Sequence, residues 1–277
     1  MKDVKVLTIQ DFSSMGQCSL SVALPIISAM GAETVCLPTA LLSTHTSGFE
    51  NYTCVDLSSN LIPAAQHIKK SGADFEFIYT GYLGNSRAVE AVMKIIEIFP
   101  SARLIVDPAM AENGTLYDGI SQDYVASVLS LCKKSFLCLP NVTEACMLAG
   151  VEYSPVQSNE YILKVAEKLS EKGVDRTVIT GIRTPEEMMI AYADKDLMQF
   201  KSFREISGQF HGSGDVFSSV TVGALANGFD VKTSLQIALE YTGKTIELTS
   251  RDKSHWYGLK FEKTLPYLID ALGGRQK

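Results

Sequence analysis

The sequence predicts an α/β chain with three layers, helix on sheet on helix, around a mostly parallel central sheet. Two observations carry this. Short apolar runs of strand length alternate with longer segments of helical period almost to the end of the chain. That is the pattern of parallel strands joined by right-handed crossover helices. Polar and glycine-rich residues also recur where successive strand runs stop, the side on which open parallel sheets bind ligands. The 277 residues, 46% of them hydrophobic and 20% charged, are enough for one large core. No internal repeat, low-complexity segment or linker is evident, so residues 1–277 are expected to form a single domain.

The elements follow in order. Val4 to Ile9 is a short apolar run suited to a buried parallel strand. Ser19 to Met30 has helical period and ends at Gly31, with Pro25 placed to kink it. Thr34 to Leu42 is a second strand, and Ser43 to Asn51 a polar loop. Asn60 to Ser71 is a helix ending at Gly72, and Phe75 to Thr80 is a strand. The turn Gly81-Tyr82-Leu83-Gly84 leads into a strongly periodic helix, Ser86 to Phe99. Leu104 to Val106 is a strand running into Asp107-Pro108. A loop with Gly114 and Gly119 precedes a helix over Gln122 to Cys132. Phe136 to Leu139 is a strand leading to Pro140-Asn141, and Thr143 to Ala149 a short helix. Asn159 to Lys172 is a helix and Thr177 to Thr180 a strand. Met188 to Ala193 and Met198 to Phe203 read as a hairpin around Asp194-Lys195-Asp196. Helices over Ser213 to Asn227, Val231 to Thr249 and Phe261 to Leu272 close the chain.

Bulk properties exclude several function classes. The formal charge is −6 and the pI about 5.3. No basic block occurs, so nucleic acid is not an expected partner. No apolar stretch reaches membrane-spanning length, and the apolar run within Met1 to Gln10 is too short for a signal peptide. Six cysteines (Cys18, Cys36, Cys54, Cys132, Cys138 and Cys146) are scattered without a Cys-x-x-Cys pair. Buried reduced thiols in a cytoplasmic setting are the expectation.

Chemistry concentrates in the stretch from His211 to Ser219. Gly212-Ser213-Gly214-Asp215 opens a helix of small and apolar residues. Glycines at a helix start let backbone N–H groups approach an anion, and the helix dipole favours negative charge there. A carboxylate beside such an anion hole can take a proton from a hydroxyl, which points to phosphoryl transfer to an alcohol. The same residues also fit an ordinary turn with Asp215 as a capping acid. The P-loop pattern Gly-x-x-x-x-Gly-Lys-Ser/Thr is missing, as is a dinucleotide Gly-x-Gly-x-x-Gly after the first strand. Polar pairs sit at six successive strand ends: Gln10-Asp11, Ser43 to Thr46, Gly81-Tyr82, Asp107-Pro108, Pro140-Asn141 and Thr180-Gly181. Asp107 and Glu144 are candidate Mg²⁺-side acids, since Mg²⁺ takes one or two carboxylates plus water and phosphate oxygens. Each has a plainer reading: an Asp-Pro turn for Asp107, a first-turn acid for Glu144, a helix cap for Asn141. His45 reads as a loop residue that orients the site by hydrogen bonds, because no second His stands at ligand spacing. His67 reads as solvated, His211 as shaping the glycine loop, and His255-Trp256-Tyr257 as local packing or an aromatic wall.

The chain resembles the ribokinase superfamily and, within it, the pyridoxal/pyridoxamine kinases. The resemblance rests on Gln10 to Cys18, Ser43-Thr44-His45-Thr46, Thr80 to Gly84, Asp107-Pro108-Ala109-Met110, Pro140 to Glu144 and Gly212 to Asp215. It implies a ribokinase-like fold without a large lid domain, and an ATP-dependent kinase making the 5′-phosphate of a B6 vitamer. Under it, Asp215 is the general base, and the N–H groups of Gly212, Ser213, Gly214 and Asp215 form the anion hole. Asn141, Thr180, Gly181, Gly212 and Gly214 lie on the ATP side. Asn141 and Glu144 organise Mg²⁺ through water with Asp107 nearby, and Glu112 is a further acid on that side. Tyr82 packs on the pyridine ring, Asp11 and Thr46 touch its polar edge, Cys18 and Leu42 are apolar wall, and His45 belongs to the substrate-binding set. A homodimer is implied, and dependence on a monovalent cation is left open. The departures concern the substrate. Asp11 stands where the family usually has Ser, Gln17-Cys18-Ser19 stands where an aromatic or His and small residues are common, and Gly181 to Thr184 lacks a clear lysine. An acid beside the ring suits a protonated nitrogen or amine, and equally another hydroxymethyl heterocycle such as hydroxymethylpyrimidine, or a polyol. A ligand sensor on the same fold is the non-enzymatic alternative, opposed by the intact Asp215, Asn141 and Glu144.

Overall fold

The structure is a computed structural model that describes residues 4–184, 187–195, 197–203, 206, 208 and 210–273. The strands, in chain order, are β1 (Lys5–Met15), β2 (Glu33–Thr44), β3 (Cys54–Asp56), β4 (Phe77–Thr80) and β5 (Arg103–Val106), then the small hairpin β6 (Ala111–Glu112) and β7 (Thr115–Leu116), and finally β8 (Leu137–Cys138), β9 (Arg176–Arg183), β10 (Met188–Asp194) and β11 (Leu197–Phe203). The helices are α1 (Leu20–Ala29), α2 (Leu61–Lys70), α3 (Ser86–Ile98), α4 (Gln122–Cys132), α5 (Val142–Ala149), α6 (Asn159–Glu171), α7 (Ser213–Ala226), α8 (Val231–Ser250) and α9 (Leu265–Gly273). Among the described residues the main sheet runs β11-β10-β9-β8-β5-β4-β1-β2-β3. The strands from β9 to β2 are parallel; β3 at one edge and β10 and β11 at the other are antiparallel.

Strand side chains alternate between two cores, as the period of two requires. Leu7, Ile9, Ile78, Leu104 and Val106 face the layer of α2 to α6. Val6, Phe77, Tyr79, Ile105 and Leu137 face the layer of α1, α7, α8 and α9. Both faces are covered, which is why these strands read as unbroken apolar runs. Burying each such side chain contributes roughly 1.5–3 kcal/mol. α7 is buried along its whole length from Val216 to Ala226, so it forms the central rod of its layer. Among the described residues, no helix is long and apolar enough to cross a membrane.

The structure departs from the sequence reading where strands outrun their apolar cores. β1 continues to Met15 and β2 to Thr44, although β4 pairs with β1 only from Val6 to Ile9. Gln10 to Met15 therefore project beyond the sheet's carboxyl edge, with a bulge between Gln10 and Phe12. β3 joins β2 there through Ala40↔Asp56, Leu41↔Val55 and Leu42↔Cys54. The first strand thus ends in a three-stranded flap and does not run straight into the helix at Ser19, and Ser43 and Thr44 are strand residues, not loop. Glu112 and Gly114 lie in the β6–β7 hairpin, not in an irregular loop. Thr180 and Gly181 lie inside β9, opposite an irregularity between Met189 and Ala191 of β10. α1 carries Pro25 as one continuous helix. The β10–β11 hairpin forms as expected, with Asp196 of its turn outside the described residues.

Candidate active site

The carboxyl edge of the sheet and the N-termini of α1 and α7 enclose the site. Gly212 precedes α7 with φ +75°, the left-handed region. A Cβ there would stand 1.9 Å from the Gln17 carbonyl oxygen and 3.5 Å from Cys18 Sγ. Only glycine lets the segment after β1 press against the helix start. A Cβ on Gly214, by contrast, would meet nothing within 4 Å, so the first turn of α7 opens onto free space. The Ser213 N–H is spent on Phe210 O at 3.2 Å, which removes it from the expected anion hole in this conformation. The other first-turn N–H groups have no intrahelical partner by position.

Asp215 stands half-buried in that first turn. Burial, and then the charges of Asp107 and Asp11, hold its carboxyl well above the usual range, opposed by a backbone hydrogen bond from Ser19. Ser19 precedes α1 with φ +52° and ψ −130°, a strained conformation for a residue with a side chain. Its hydroxyl also bonds Asp11. One residue therefore ties both acids to the start of α1. Asp11 itself is 4% exposed. It accepts Ser13 Oγ at 3.1 Å, and its backbone N–H donates to Tyr82 O at 3.2 Å. Burial raises its carboxyl as well.

A second pair of acids lies deeper. Asp107 accepts Ser218 Oγ at 2.8 Å, and Ser218 is one turn beyond Asp215 on α7. Glu144 is 2% exposed. Its Oε2 accepts the Asn141 N–H at 2.8 Å, and Oε1 accepts the Met110 N–H at 3.1 Å. Asn141 Oδ1 returns the favour to the Glu144 N–H at 3.0 Å, and its Nδ2 donates to Ala111 O at 2.8 Å. This is a capping box at α5, so the plainer reading of Asn141 and Glu144 holds, and their oxygens are largely committed. Burial, and then Asp107, push the Glu144 carboxyl up; burial pushes Asp107 up too. None of the ion pairs among the described residues involves Asp11, Asp107, Glu144 or Asp215.

The remaining expected residues are placed as follows. Tyr82 is half-buried beside Asp11, its ring 6.4 Å from that of Tyr117. Cys18 feels the charges of Asp215, Asp11 and Glu112 after burial, all of which push its thiol up. Leu42 is buried, 3% exposed. His45 is buried; Nε2 lies 3.0 Å from Tyr257 O and Nδ1 accepts the Ser47 N–H at 3.2 Å, so Nε2 carries the proton and the ring straps two loops together. Burial lowers its pKa. Thr46 is exposed on the loop after β2, and Glu112 is exposed on β6. Thr180 is half-buried, bridges Asn141 and donates its N–H to Pro140 O at 2.9 Å. Gly181 is exposed with φ +70°.

Sequence reasoning missed Ser19, Ser218 and Tyr117. The spacing of Asp215 and Ser218, three residues on one helix face, was a usable signal for Ser218. Tyr117, whose hydroxyl feels Glu144, Glu112, Asp215 and Asp107, had none, because only the hairpin brings it over the acids.

No group of three or more His, Cys, Asp or Glu side chains among the described residues is arranged to hold a metal ion. Asp107, Glu112 and Glu144 therefore do not converge as a direct ligand set. Two buried, mutually repelling carboxylates without a protein cation do fit a Mg²⁺ that keeps water and takes phosphate oxygens.

Comparison with known proteins gives the fold and the family. The protein from Bacteroides thetaiotaomicron VPI-5482 assigned as a phosphomethylpyrimidine kinase superposes with a TM-score of 0.91 at 29% identity, over 97% of this chain and 94% of that one. Its orthorhombic form with pyridoxal gives 0.90. Pyridoxal kinase from Lactobacillus plantarum gives 0.89 at 28% identity, over 99% of both chains. The chloroplastic thiamine biosynthetic bifunctional enzyme TH1 of Arabidopsis thaliana is 25% identical over 92% of this chain, which spans only 51% of that protein's length. The phosphomethylpyrimidine kinase profile matches residues 22–258, most of the chain, so the chain belongs to the phosphomethylpyrimidine kinase family, within the ribokinase superfamily that also holds the pyridoxal kinases.

Proposed function

We propose that this chain is an ATP-dependent kinase that phosphorylates the 5′-hydroxymethyl group of a vitamin B6 compound. The observation that carries the proposal is Asp215 at the mouth of α7, its carboxylate beside an open glycine turn and bonded from Ser19. The half-buried Tyr82 would lie against the heteroaromatic ring, with Asp11 at its polar edge. Asp215 would accept the hydroxyl proton as the oxygen attacks the γ-phosphorus in line. The N–H groups opening α7 would stabilise the transferring phosphoryl. Thr180 and Gly181, inside β9, would line the nucleotide side. Mg²⁺, when bound with ATP, supplies charge neutralisation on the phosphates, and Asp107 and Glu144 would hold it through water.

A second reading, a hydroxymethylpyrimidine kinase, is favoured by the family match and by Asp11, which suits an amino-substituted ring. A panel of pyridoxal, pyridoxine, pyridoxamine and hydroxymethylpyrimidine in a coupled ADP-release assay separates the two. No turnover of any B6 compound at saturating ATP and Mg²⁺ defeats the first reading; turnover of the pyrimidine alone establishes the second.

The chain is also proposed to work as a homodimer. Phe12, Leu41 and Val55 are register neighbours across β1, β2 and β3 and are 36%, 45% and 56% exposed. A second copy covering this row accounts for apolar side chains on the outer face of a flap whose inner face holds Asp11. Light scattering on wild type and Leu41→Lys tests it: a dimer weakened by the substitution is expected, and a wild-type monomer at working concentration refutes it.

A further inference from the structure

We propose that the cavity between the β10–β11 hairpin and the first turns of α8 is a second ligand site, built for a small organic anion with a ring-sized apolar body. The cavity encloses about 470 Å³, within the range of small-molecule pockets. It is separate from the active site. α7 starts at the active-site mouth and runs 14 residues to Ala226, roughly 20 Å at about 1.5 Å per residue. α8 starts beyond the turn Asn227 to Asp230, and the cavity is lined by its first residues, Lys232 and Leu235. On the sheet side, Tyr192 pairs with Val178 near the amino end of β9, whereas the active site lies beyond the carboxyl ends of the strands.

The strand register explains both floor and walls. Gln199 pairs with Tyr192 and Lys201 with Ile190, so these four side chains share one face of the hairpin, the face that meets α8. Ile190, Tyr192 and Leu235 are buried in one core cluster, through which α8 covers β10. Gln199 and Lys201, on the edge strand β11, stay exposed. The floor is therefore apolar and the walls polar, with one ammonium from the strand, Lys201, and one from the helix, Lys232. Neither lysine enters an ion pair among the described residues. The neighbouring acids are committed elsewhere. Asp194 accepts Arg176 Nε at 2.9 Å and the Tyr192 hydroxyl at 3.0 Å, and Asp230 caps α8 by accepting the Thr233 N–H at 2.7 Å. The positive end of the 20-residue α8 adds to the two ammonium groups. This local positive potential stands in a chain whose net charge is −6. An anionic head would bridge the lysines while a ring covers Ile190, Tyr192 and Leu235. A bare inorganic anion leaves that floor uncovered, and a neutral ring leaves the lysines unpaired.

Phenyl phosphate, benzoate, inorganic phosphate and phenol, titrated into the full chain, test this. Binding is read from the methyl resonances of Ile190 and Leu235, which report this cavity and not the active site. A ring carrying an anion is expected to bind about tenfold or more tighter than phenol or inorganic phosphate, and the tighter of phenyl phosphate and benzoate identifies the head group. Lys201→Gln and Lys232→Gln change exposed side chains, so both variants are expected to keep the wild-type Tm. Each is expected to weaken binding about tenfold or more, the worth of one charge-assisted hydrogen bond. No saturable shift of either methyl resonance at millimolar probe overturns the proposal. So does phenol or inorganic phosphate binding as tightly as the ringed anions, or an affinity that survives both substitutions. The readout is binding and not turnover, so the result stands whether or not the chain phosphorylates a B6 compound.

Discussion

Replacing Gly212 with alanine isolates the contact that shapes the anion hole. The added Cβ would lie 1.9 Å from Gln17 O, and an ordinary contact begins near 3.4 Å, so the segment after β1 and the start of α7 must separate by about 1.5 Å. The atom met is backbone and cannot rotate aside. The residue must also hold φ +75°, which costs a non-glycine about 1–2 kcal/mol. Misplacing reacting groups by about 1 Å can cost a hundredfold in rate. Gly212→Ala is therefore expected to lower kcat about a hundredfold in the ADP-release assay and to lower stability by about 1–2 kcal/mol or more in urea titrations. Gly214→Ala, whose Cβ would meet nothing within 4 Å, is the matched control for added bulk and is expected to lose far less stability. A Gly212→Ala protein with unchanged stability and wild-type kcat would refute the reasoning.

Two further outcomes follow from the buried acids. The Glu144 carboxyl rises from 4.5 to about 8, and that of Asp107 from 3.8 to about 6. Between the unfolded and folded values the folded chain binds more protons, so their contribution to stability is full below about 4 and is lost as pH rises toward 8. Wild-type Tm in chelator is expected to fall across pH 5 to 8, and Glu144→Gln, which still fits the capping box, to fall less; parallel slopes would contradict the assignment. Ser218→Ala leaves the buried Asp107 Oδ2 without its 2.8 Å donor and is expected to cost about 1–3 kcal/mol by chemical denaturation, with less than about 0.5 kcal/mol counting against the link.

The alternation of apolar runs and periodic helices made the three layers legible, because strands buried on both faces lose their polar alternation. The Gly212 to Asp215 turn was legible because its chemistry is local. β3 was not, since Cys54, Val55 and Asp56 are all exposed and carry no burial pattern. The flap was missed for a related reason: from Gln10 onward β1 has one polar inner face, so its apolar signal stops at Ile9 while its hydrogen bonding to β2 continues to Met15. Asn141 and Glu144 illustrate an ambiguity of another kind. Asn-x-x-Glu at a helix start serves as a capping box and as a metal-side motif with the same spacing, and only the bonds to Met110 and Ala111 show how far the carboxylate is already engaged. The helix spacing from Asp215 marked Ser218 as a site-facing residue but not Asp107 as its partner, 111 residues away, and Tyr117 had no local signature.

The most direct test of the account is the rate of phosphate transfer by Asp215→Asn, followed as phosphorylated heterocycle by mass spectrometry with saturating ATP and Mg²⁺. Loss of a positioned general base is expected to lower kcat about 10²- to 10⁴-fold while the heterocycle still binds by titration. Wild-type product formation by the folded variant would contradict the assignment of Asp215 as the base.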